Sequence, residues 1–406
     1  MADTKYQQID EQWVMSRTNR NHGLLPLKTV LSKANNPQDQ IHTVHIAGTN
    51  GKGSTTNYLK EILMAHGYKV GMFTSPHLIT HRDRIRINNN YISEEQFQKY
   101  LNYYQQDILA YDLGMFEIDC LIAFTYFKEE HVDIALIETG LGGRLDNTNV
   151  IAKPDLEIIT TIGYDHMQLL GNRLRQIAFE KAGIIQPNST CVLGYLDSEV
   201  LQVIHRVGMR KQANVISCPK YKSDALQSFI FDGDCYELGT LAQYQKANAS
   251  LALESAYILG INIHDDLTKQ AIKQANWLGR FEVMSKEPYI IIDGAHNEEG
   301  IRALVSSLQN LPRPVTILFS ALKDKPGRKM ATSLKHNCDQ LIITQFEGVR
   351  ADTVADLNVD GCKIIKSWKE ALSYSIEQAK EGTLVITGSL YFISIVREEL
   401  ITRFSK

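Results

Sequence analysis

Gly48-Thr49-Asn50-Gly51-Lys52-Gly53-Ser54 lies between a short apolar run and a stretch of helical periodicity, and its reading decides the fold. Upstream, Thr43-Val44-His45-Ile46-Ala47 is β-branched and mostly apolar, the pattern of a buried parallel strand. Downstream, Tyr58, Leu59, Ile62 and Leu63 recur at helical spacing between Thr55 and Ala65. Three glycines in six positions serve no side-chain packing. They let backbone N–H groups turn inward around an anion, while Lys52 adds charge and the new helix presents its positive end. This is a phosphate-binding loop of unusual spacing: the standard first glycine is missing, and Gly53 separates Lys52 from Ser54.

The bulk numbers narrow the partners. A chain of 406 residues is long for one core and predicts two domains. A net charge of −3 exerts no general pull on nucleic acid or an acidic membrane, so anionic ligands must be held by local basic groups. Cys120, Cys191, Cys218, Cys235, Cys338 and Cys362 lie far apart with no C-x-x-C pair. That argues against a disulfide framework or a zinc site and for a reducing compartment. The start, Met1 to Gln12, is polar and no apolar run approaches the ~20 residues of a membrane span. The expected location is cytoplasmic.

Strand and helix patterns then alternate. Val70 to Phe73 reads as a second strand ending in Thr74-Ser75-Pro76-His77, followed by a polar, basic loop with Arg82, Arg84 and Arg86. Helical stretches run from Glu94 to Leu109 and Ile118 to Glu129. Asp133 to Ile137 ends in Glu138-Thr139-Gly140-Leu141-Gly142-Gly143-Arg144, and Leu156 to Ile162 ends in Gly163-Tyr164-Asp165-His166. A helix from Gln176 to Ala182 carries Lys181, a hairpin spans Phe229 to Leu238, and a helix from Leu241 to Leu259 carries Asn248. After a break at Ser285-Lys286-Glu287-Pro288, four strands complete a second sheet, at Tyr289 to Ile292, Val315 to Phe319, Leu341 to Thr344 and Leu384 to Thr387. Alternating βα units predict two parallel, doubly wound sheets, with domains at 1–284 and 285–406.

The polar sets follow the carboxyl ends of these strands, where open α/β sheets bind ligands. Nucleotide phosphates come with Mg²⁺, which wants oxygen ligands. Glu138, at a strand end before a glycine-rich loop, suits a metal-ligand or water-orienting role, or a plain helix-capping one. Ser75 before Pro76 reads equally as a turn former or a ligand. His166 follows Asp165 at a strand end, and Lys181 lies on a helix where a solvated lysine is the default. Arg144, Arg280 and Lys323 are candidate anion partners, none individually diagnostic.

In that order the motifs resemble the Mur ligase superfamily, in its folylpolyglutamate synthase/dihydrofolate synthase branch. The matching stretches are Gly48 to Ser54, Ser75-Pro-His-Leu78, Glu138-Thr-Gly-Leu-Gly-Gly-Arg-Leu-Asp146, Asp165-His166, Glu180-Lys-Ala-Gly183, Gly279-Arg-Phe-Glu282, Asp293-Gly-Ala-His-Asn297 and Thr387-Gly-Ser-Leu-Tyr-Phe392. The resemblance implies a Mur-ligase-like P-loop ATPase domain and a smaller Rossmann-like C-terminal α/β domain. It implies that Thr49, Asn50, Gly51, Lys52, Gly53 and Ser54 hold the ATP phosphates, with Asn248, Arg280 and Asp293 also on the nucleotide. It assigns magnesium to Ser75, Glu138, His166 and Lys181, the last as a CO₂-derived carbamate that turns a cation into a metal-binding anion. A generic P-loop would give Ser54 the metal contact instead. Lys52, Glu138, His166, Lys181 and His296 are the implied catalytic residues, and Phe116, Glu117, Arg144 and Asp146 the folate contacts. Two departures stand out: Arg82-Asp83-Arg84-Ile85 where Glu-Arg-Ile is usual, and Arg173 where threonine is common.

The implied reaction is ATP-dependent amide formation, adding L-glutamate to the γ-carboxyl of a reduced folate through an acyl phosphate. The alternative acceptor is dihydropteroate, in a dihydrofolate synthase alone or bifunctional. A nucleotide-gated binding protein leaves Glu138, His166 and Lys181 unexplained. Small molecules (folate, glutamate and ATP) are the expected partners of a monomer, with no nucleic acid and no membrane. The two domains are expected to close over the reactive intermediate.

Overall fold

The structure, a computed structural model, describes residues 9–18, 23–348 and 350–404. Of the polar start at Met1 to Gln12, the first eight residues lie outside the described residues. By contacts the chain divides into two units. The first gathers the chain up to Ile162, with Met167–Cys218 and Leu251–Thr268; the second gathers Gly163–His166, Pro219–Ser250 and Lys269–Lys406. The expected boundary at 284/285 thus falls inside a strand of the second unit, Glu282–Lys286.

Among the described residues the first unit holds an eight-stranded sheet. Its strands are β1 (Thr43–Ala47), β2 (Val70–Phe73), β3 (Ile85–Ile87), β4 (Asn90–Tyr91), β5 (Ile134–Glu138), β6 (Leu156–Ile159), β7 (Thr190–Leu193) and β8 (Asn214–Ser217). They lie in the order β4-β3-β2-β5-β1-β6-β7-β8, parallel except for β3 and β4. β1 is central and wholly buried, which explains its unbroken apolar run. One face packs on the helices Leu25–Lys33, Glu94–Ala110 and Met115–Glu129 through Phe73, Phe97, Phe124 and Ile137. The other face packs Ala47, Ile159, Cys191 and Leu193 on Ala182, Ile185 and Ile204. The sheet is therefore doubly wound, and chain order reverses at β1, whose neighbours are β5 and β6.

The second unit contains an antiparallel trio, β9 (Lys222–Ser223), β10 (Ser228–Phe231) and β11 (Asp234–Glu237), and a six-stranded sheet. The latter runs β12-β13-β17-β14-β15-β16, from β12 (Glu282–Lys286), β13 (Tyr289–Asp293), β14 (Val315–Phe319), β15 (Gln340–Gln345), β16 (Lys363–Ser367) and β17 (Thr383–Thr387). One core joins Ile291, Ile317, Ile343 and Val385 to Ile301, Leu304, Met330 and Leu334. By strand alternation Ile290, Leu318 and Ile386 point to the opposite face.

Two expectations are corrected. The basic loop after Ser75 is partly ordered, as a short 3₁₀ helix His81–Arg84 and then β3. Ile85 and Ile87 are buried on either side of Arg86, so arginines masked a period-two pattern. The second sheet has six strands rather than four, and the break at Ser285–Pro288 is the turn of an antiparallel pair, β12 with β13. The cysteines are free thiols, and among the described residues no helix is long and apolar enough to cross a membrane.

Candidate functional site

β1 delivers the phosphate loop. Gly48 follows its last residue, and a Cβ there would lie 1.8 Å from Thr160 Oγ1, so only glycine lets the chain pass the end of β6. Gly51 has φ +86° and caps the helix Lys52–Ala65, placing Lys52 in its first turn. The loop is braced from β6's continuation. Thr160 and Thr161 Oγ1 both donate to the Asn50 carbonyl, at 2.6 and 3.0 Å, and the N–H groups of Thr49 and Asn50 bond Thr161 at 2.8 and 2.9 Å. Sequence reading missed both threonines.

The lysines converge on this loop. Lys52 Nζ lies 3.2 Å from the Gly48 carbonyl and 3.7 Å from Glu138 Oε1. Lys181 Nζ, 4% exposed, donates to the same Gly48 carbonyl at 2.7 Å. Glu138 ends β5 beside Ile46 of β1 and is itself nearly buried. The expected set Lys52, Glu138 and Lys181 is thus one cluster around the first residue of the loop, with Ser54 buried in the following helix.

Glycines let the next loop lie on the lysine's helix. A Cβ on Gly143 would meet the carbonyls of Glu180 and Lys181 at 2.8 Å, and one on Gly183 would meet Arg144 at 2.3 Å. Arg144 N–H donates to Glu180 O at 2.7 Å, and its guanidinium pairs with Glu180 at 2.9 Å. Asp146 accepts from Leu141 N at 2.7 Å and Thr148 N at 3.0 Å, so it shapes this loop from within. Burial pushes its carboxyl up, against those hydrogen bonds and the charge of Lys52. Phe116 lies over Gly140, whose Cβ would sit 2.6 Å from the ring. Glu117 is fully buried and accepts Gly114 N–H at 2.8 Å, capping the helix Met115–Glu129.

Five expected residues, Asp293, Arg280, His296, His166 and Asn248, lie in the second unit. Asp293 ends β13 and accepts from Tyr244 OH at 2.6 Å, Phe281 N at 2.8 Å and Ala295 N at 2.9 Å. Burial raises its pKa despite Arg280 and these donors. His296 Nε2 lies 3.6 Å from Asp165 Oδ2, and Lys325 bonds Asp165 Oδ1. Burial would raise Asp165, but the His296 hydrogen bond and the charges of Lys325 and His166 hold it well below the usual carboxylate range. His166, exposed and at φ +48°, follows it directly. Asn248 Nδ2 donates to Gln245 Oε1 at 2.8 Å on the helix Gln245–Ile258. Lys325 escaped sequence reading as a site residue; its only signal was a position just past the end of β14.

The donor chemistry fits magnesium. That ion is commonly held by one or two carboxylates together with phosphates and waters. Glu138 offers a carboxylate at the end of β5, and Ser75, a hydroxyl, is half-buried just past the end of β2. Among the described residues no group of three or more His, Cys, Asp or Glu is arranged to hold a metal.

Residues 46–255 match the Mur ligase middle domain and residues 279–390 the Mur ligase glutamate ligase domain. The chain is 37% identical over 409 residues to the dihydrofolate synthase/folylpolyglutamate synthase of Bacillus subtilis (strain 168), covering 93% of this chain and 95% of that one. It superposes with a TM-score of 0.88 and 27% identity on a bifunctional folylpolyglutamate synthase/dihydrofolate synthase with Mn, AMPPNP and L-glutamate bound, covering 97% of this chain and 100% of that one. E. coli FolC in complex with DHPP and ADP gives a TM-score of 0.88 at 27% identity, covering 97% of both chains.

Proposed function

The chain belongs to the folylpolyglutamate synthase/dihydrofolate synthase family of Mur ligases, and on that premise we propose that it adds L-glutamate to the γ-carboxyl of a reduced folate. It is an ATP-dependent acid–amino-acid ligase that uses a divalent metal. The observation that carries the reading is the convergence of Lys52 and Lys181 on the Gly48 carbonyl beside Glu138. The Lys52 cation and a hard carboxylate at a phosphate loop suit a migrating phosphoryl group and its metal.

A folate carboxylate oxygen attacks the γ-phosphorus of ATP, the bond to the bridging oxygen breaks, and ADP leaves an acyl phosphate. The amino group of glutamate then adds to the acyl carbon. The tetrahedral adduct loses a proton and expels inorganic phosphate, leaving the amide. Lys52 and the N–H groups of residues 51–54 offset the charge on the phosphoryl oxygens in the first step, while those of Thr49 and Asn50 stay bonded to Thr161. Magnesium, which Ser75 and Glu138 would hold, would supply further positive charge to the phosphates.

Lys181 is proposed to carry a carbamate. Its carbonyl partner needs one N–H, which a carbamate nitrogen retains, so the 2.7 Å bond to Gly48 is compatible with the modified side chain. Asn248, Arg280 and Asp293 serve the nucleotide, with His296 facing the reacting groups. Phe116 and Arg144 contact the folate, while Glu117 and Asp146 act through the cap and loop they hold.

A second reading, dihydropteroate as an additional acceptor, is supported by the paired activities in the name of the Bacillus subtilis relative and by the DHPP complex of E. coli FolC. An acceptor panel tests both: ATP and glutamate with tetrahydrofolate, dihydropteroate or a UDP-muramoyl peptide, scored as ADP and product mass. Turnover with tetrahydrofolate is expected; turnover with the muramoyl peptide alone contradicts the proposal.

A further inference from the structure

Arg397, on the helix Leu390–Phe404, forms a forked ion pair with Glu282. Its Nε lies 3.0 and 3.1 Å from the two carboxylate oxygens and Nη2 lies 2.9 Å from Oε1, with side chains only 14% and 8% exposed. The same carboxylate accepts Gly279 N–H at 2.7 Å. Glu282 therefore closes a four-residue turn, Gly279-Arg280-Phe281-Glu282, by reaching back to its first N–H.

The turn needs that restraint. Gly279 has φ +70° and Phe281 φ +51°, a left-handed conformation a phenylalanine adopts only when its surroundings impose it. Asp293 supplies one constraint by accepting Phe281 N–H at 2.8 Å, and Gly294 N–H bonds the Gly279 carbonyl at 2.8 Å. Arg280 Nη1 lies over Gly294 (a Cβ there would come within 2.1 Å) and donates to the Gly279 carbonyl at 3.3 Å. Two carboxylates thus hold the turn that carries Arg280. Asp293 has Tyr244 and Ala295 as further donors, whereas the Glu282 carboxylate, its side chain 8% exposed, has the Arg397 fork as its charged partner. A nearly buried carboxylate stripped of its cation is strongly unfavourable and turns toward solvent, releasing Gly279.

We propose that Arg397 is a positioning residue for nucleotide binding. Through Glu282 it fixes the turn that aims the Arg280 guanidinium. The inference rests on the reading of Arg280 as a nucleotide contact. Arginine suits the task because its planar fork engages both carboxylate oxygens at once, which a lysine does not.

The test uses the full chain, with ADP affinity by calorimetry, KM for ATP and for glutamate, kcat, and thermal unfolding, for Arg397→Met, Arg397→Lys and Arg280→Ala. Losing one charge-assisted restraint predicts ADP affinity and ATP KM worse by about tenfold in Arg397→Met. The glutamate KM and kcat stay within about twofold, since only nucleotide binding is affected. Arg397→Lys falls between and carries the test if Arg397→Met does not fold. Unchanged ADP affinity in a folded Arg397 variant overturns the inference, as does an equal loss in every kinetic parameter. If Arg280→Ala weakens ADP binding while the Arg397 variants do not, this inference fails alone. If Arg280→Ala leaves ADP binding intact, the Arg280 assignment fails and the inference falls with it.

Discussion

Lys181 Nζ donates to the carbonyl of Gly48 across 133 residues of sequence, at 2.7 Å and almost out of contact with water. A lysine on a helix is ordinarily solvated. Here the glycines at 143 and 183 let the loop and helix close around it, tying it to the first residue of the phosphate loop. Lys181→Ala should lose most activity, and short carboxylic acids should partly restore it by standing in for the carbamate. Intact mass of the wild-type protein lacking the added CO₂, or no rescue, would count against the modification.

Lys52 stands between the Gly48 carbonyl and Glu138. Lys52→Ala should lower kcat by about 10²–10³-fold, the cost of one donor aimed at developing charge. The fold should survive, because Lys52, in the first turn of its helix, belongs to none of the apolar core clusters. Steady-state rates and circular dichroism check the two halves. Normal turnover refutes the role of the loop.

Gly143→Ala tests the closeness of loop and helix. Its Cβ would meet two backbone carbonyls at 2.8 Å, and backbone cannot swing aside as a side chain does. The substitution should destabilise by about 1–3 kcal/mol, as overpacking does elsewhere. It should also lower kcat by moving Lys181 and Arg144 relative to Glu138. Denaturant unfolding at wild-type stability would show that the loop relaxes freely.

Glu157 predicts a pH dependence outside the chemistry. It is fully buried in the sheet, accepts Gln186 N–H at 2.8 Å, and burial pushes its pKa up to about 7. Below the unfolded value near 4.5 both states are protonated, so it contributes no pH dependence there. Between that value and about 7 the folded state keeps a proton that the unfolded state releases, and stability falls as pH rises. The loss levels off above 7 at no more than about 3 kcal/mol. Glu157→Gln keeps the acceptor and removes the titration. Its urea midpoint should therefore gain on wild type between pH 5 and pH 8, and a constant difference contradicts the assignment.

Much of this was readable because buried strands announce themselves. β1, β5 and β14 are apolar runs ending in glycine or a polar set, and each ends where the sequence indicates to within a residue. β8 and β16 were missed because they are exposed sheet edges, so nothing forces an apolar pattern. β12 was hidden by its neighbouring turn. At the site, Lys52 and Glu138 were legible from local spacing. Thr160 and Thr161 were not: they brace Asn50 from 110 and 111 residues away, and Lys325 meets Asp165 across 160. Such partners are products of the fold, and no local pattern marks them.

The central claim is that this phosphate loop activates a carboxylate by phosphorylating it. The direct measurement labels the γ-carboxyl oxygens of the folate acceptor with a heavy isotope and follows one turnover with ATP and glutamate by mass spectrometry. Transfer through an acyl phosphate predicts one labelled oxygen in the released inorganic phosphate and its loss from the amide product. Unlabelled phosphate, with ADP still formed, would contradict the account.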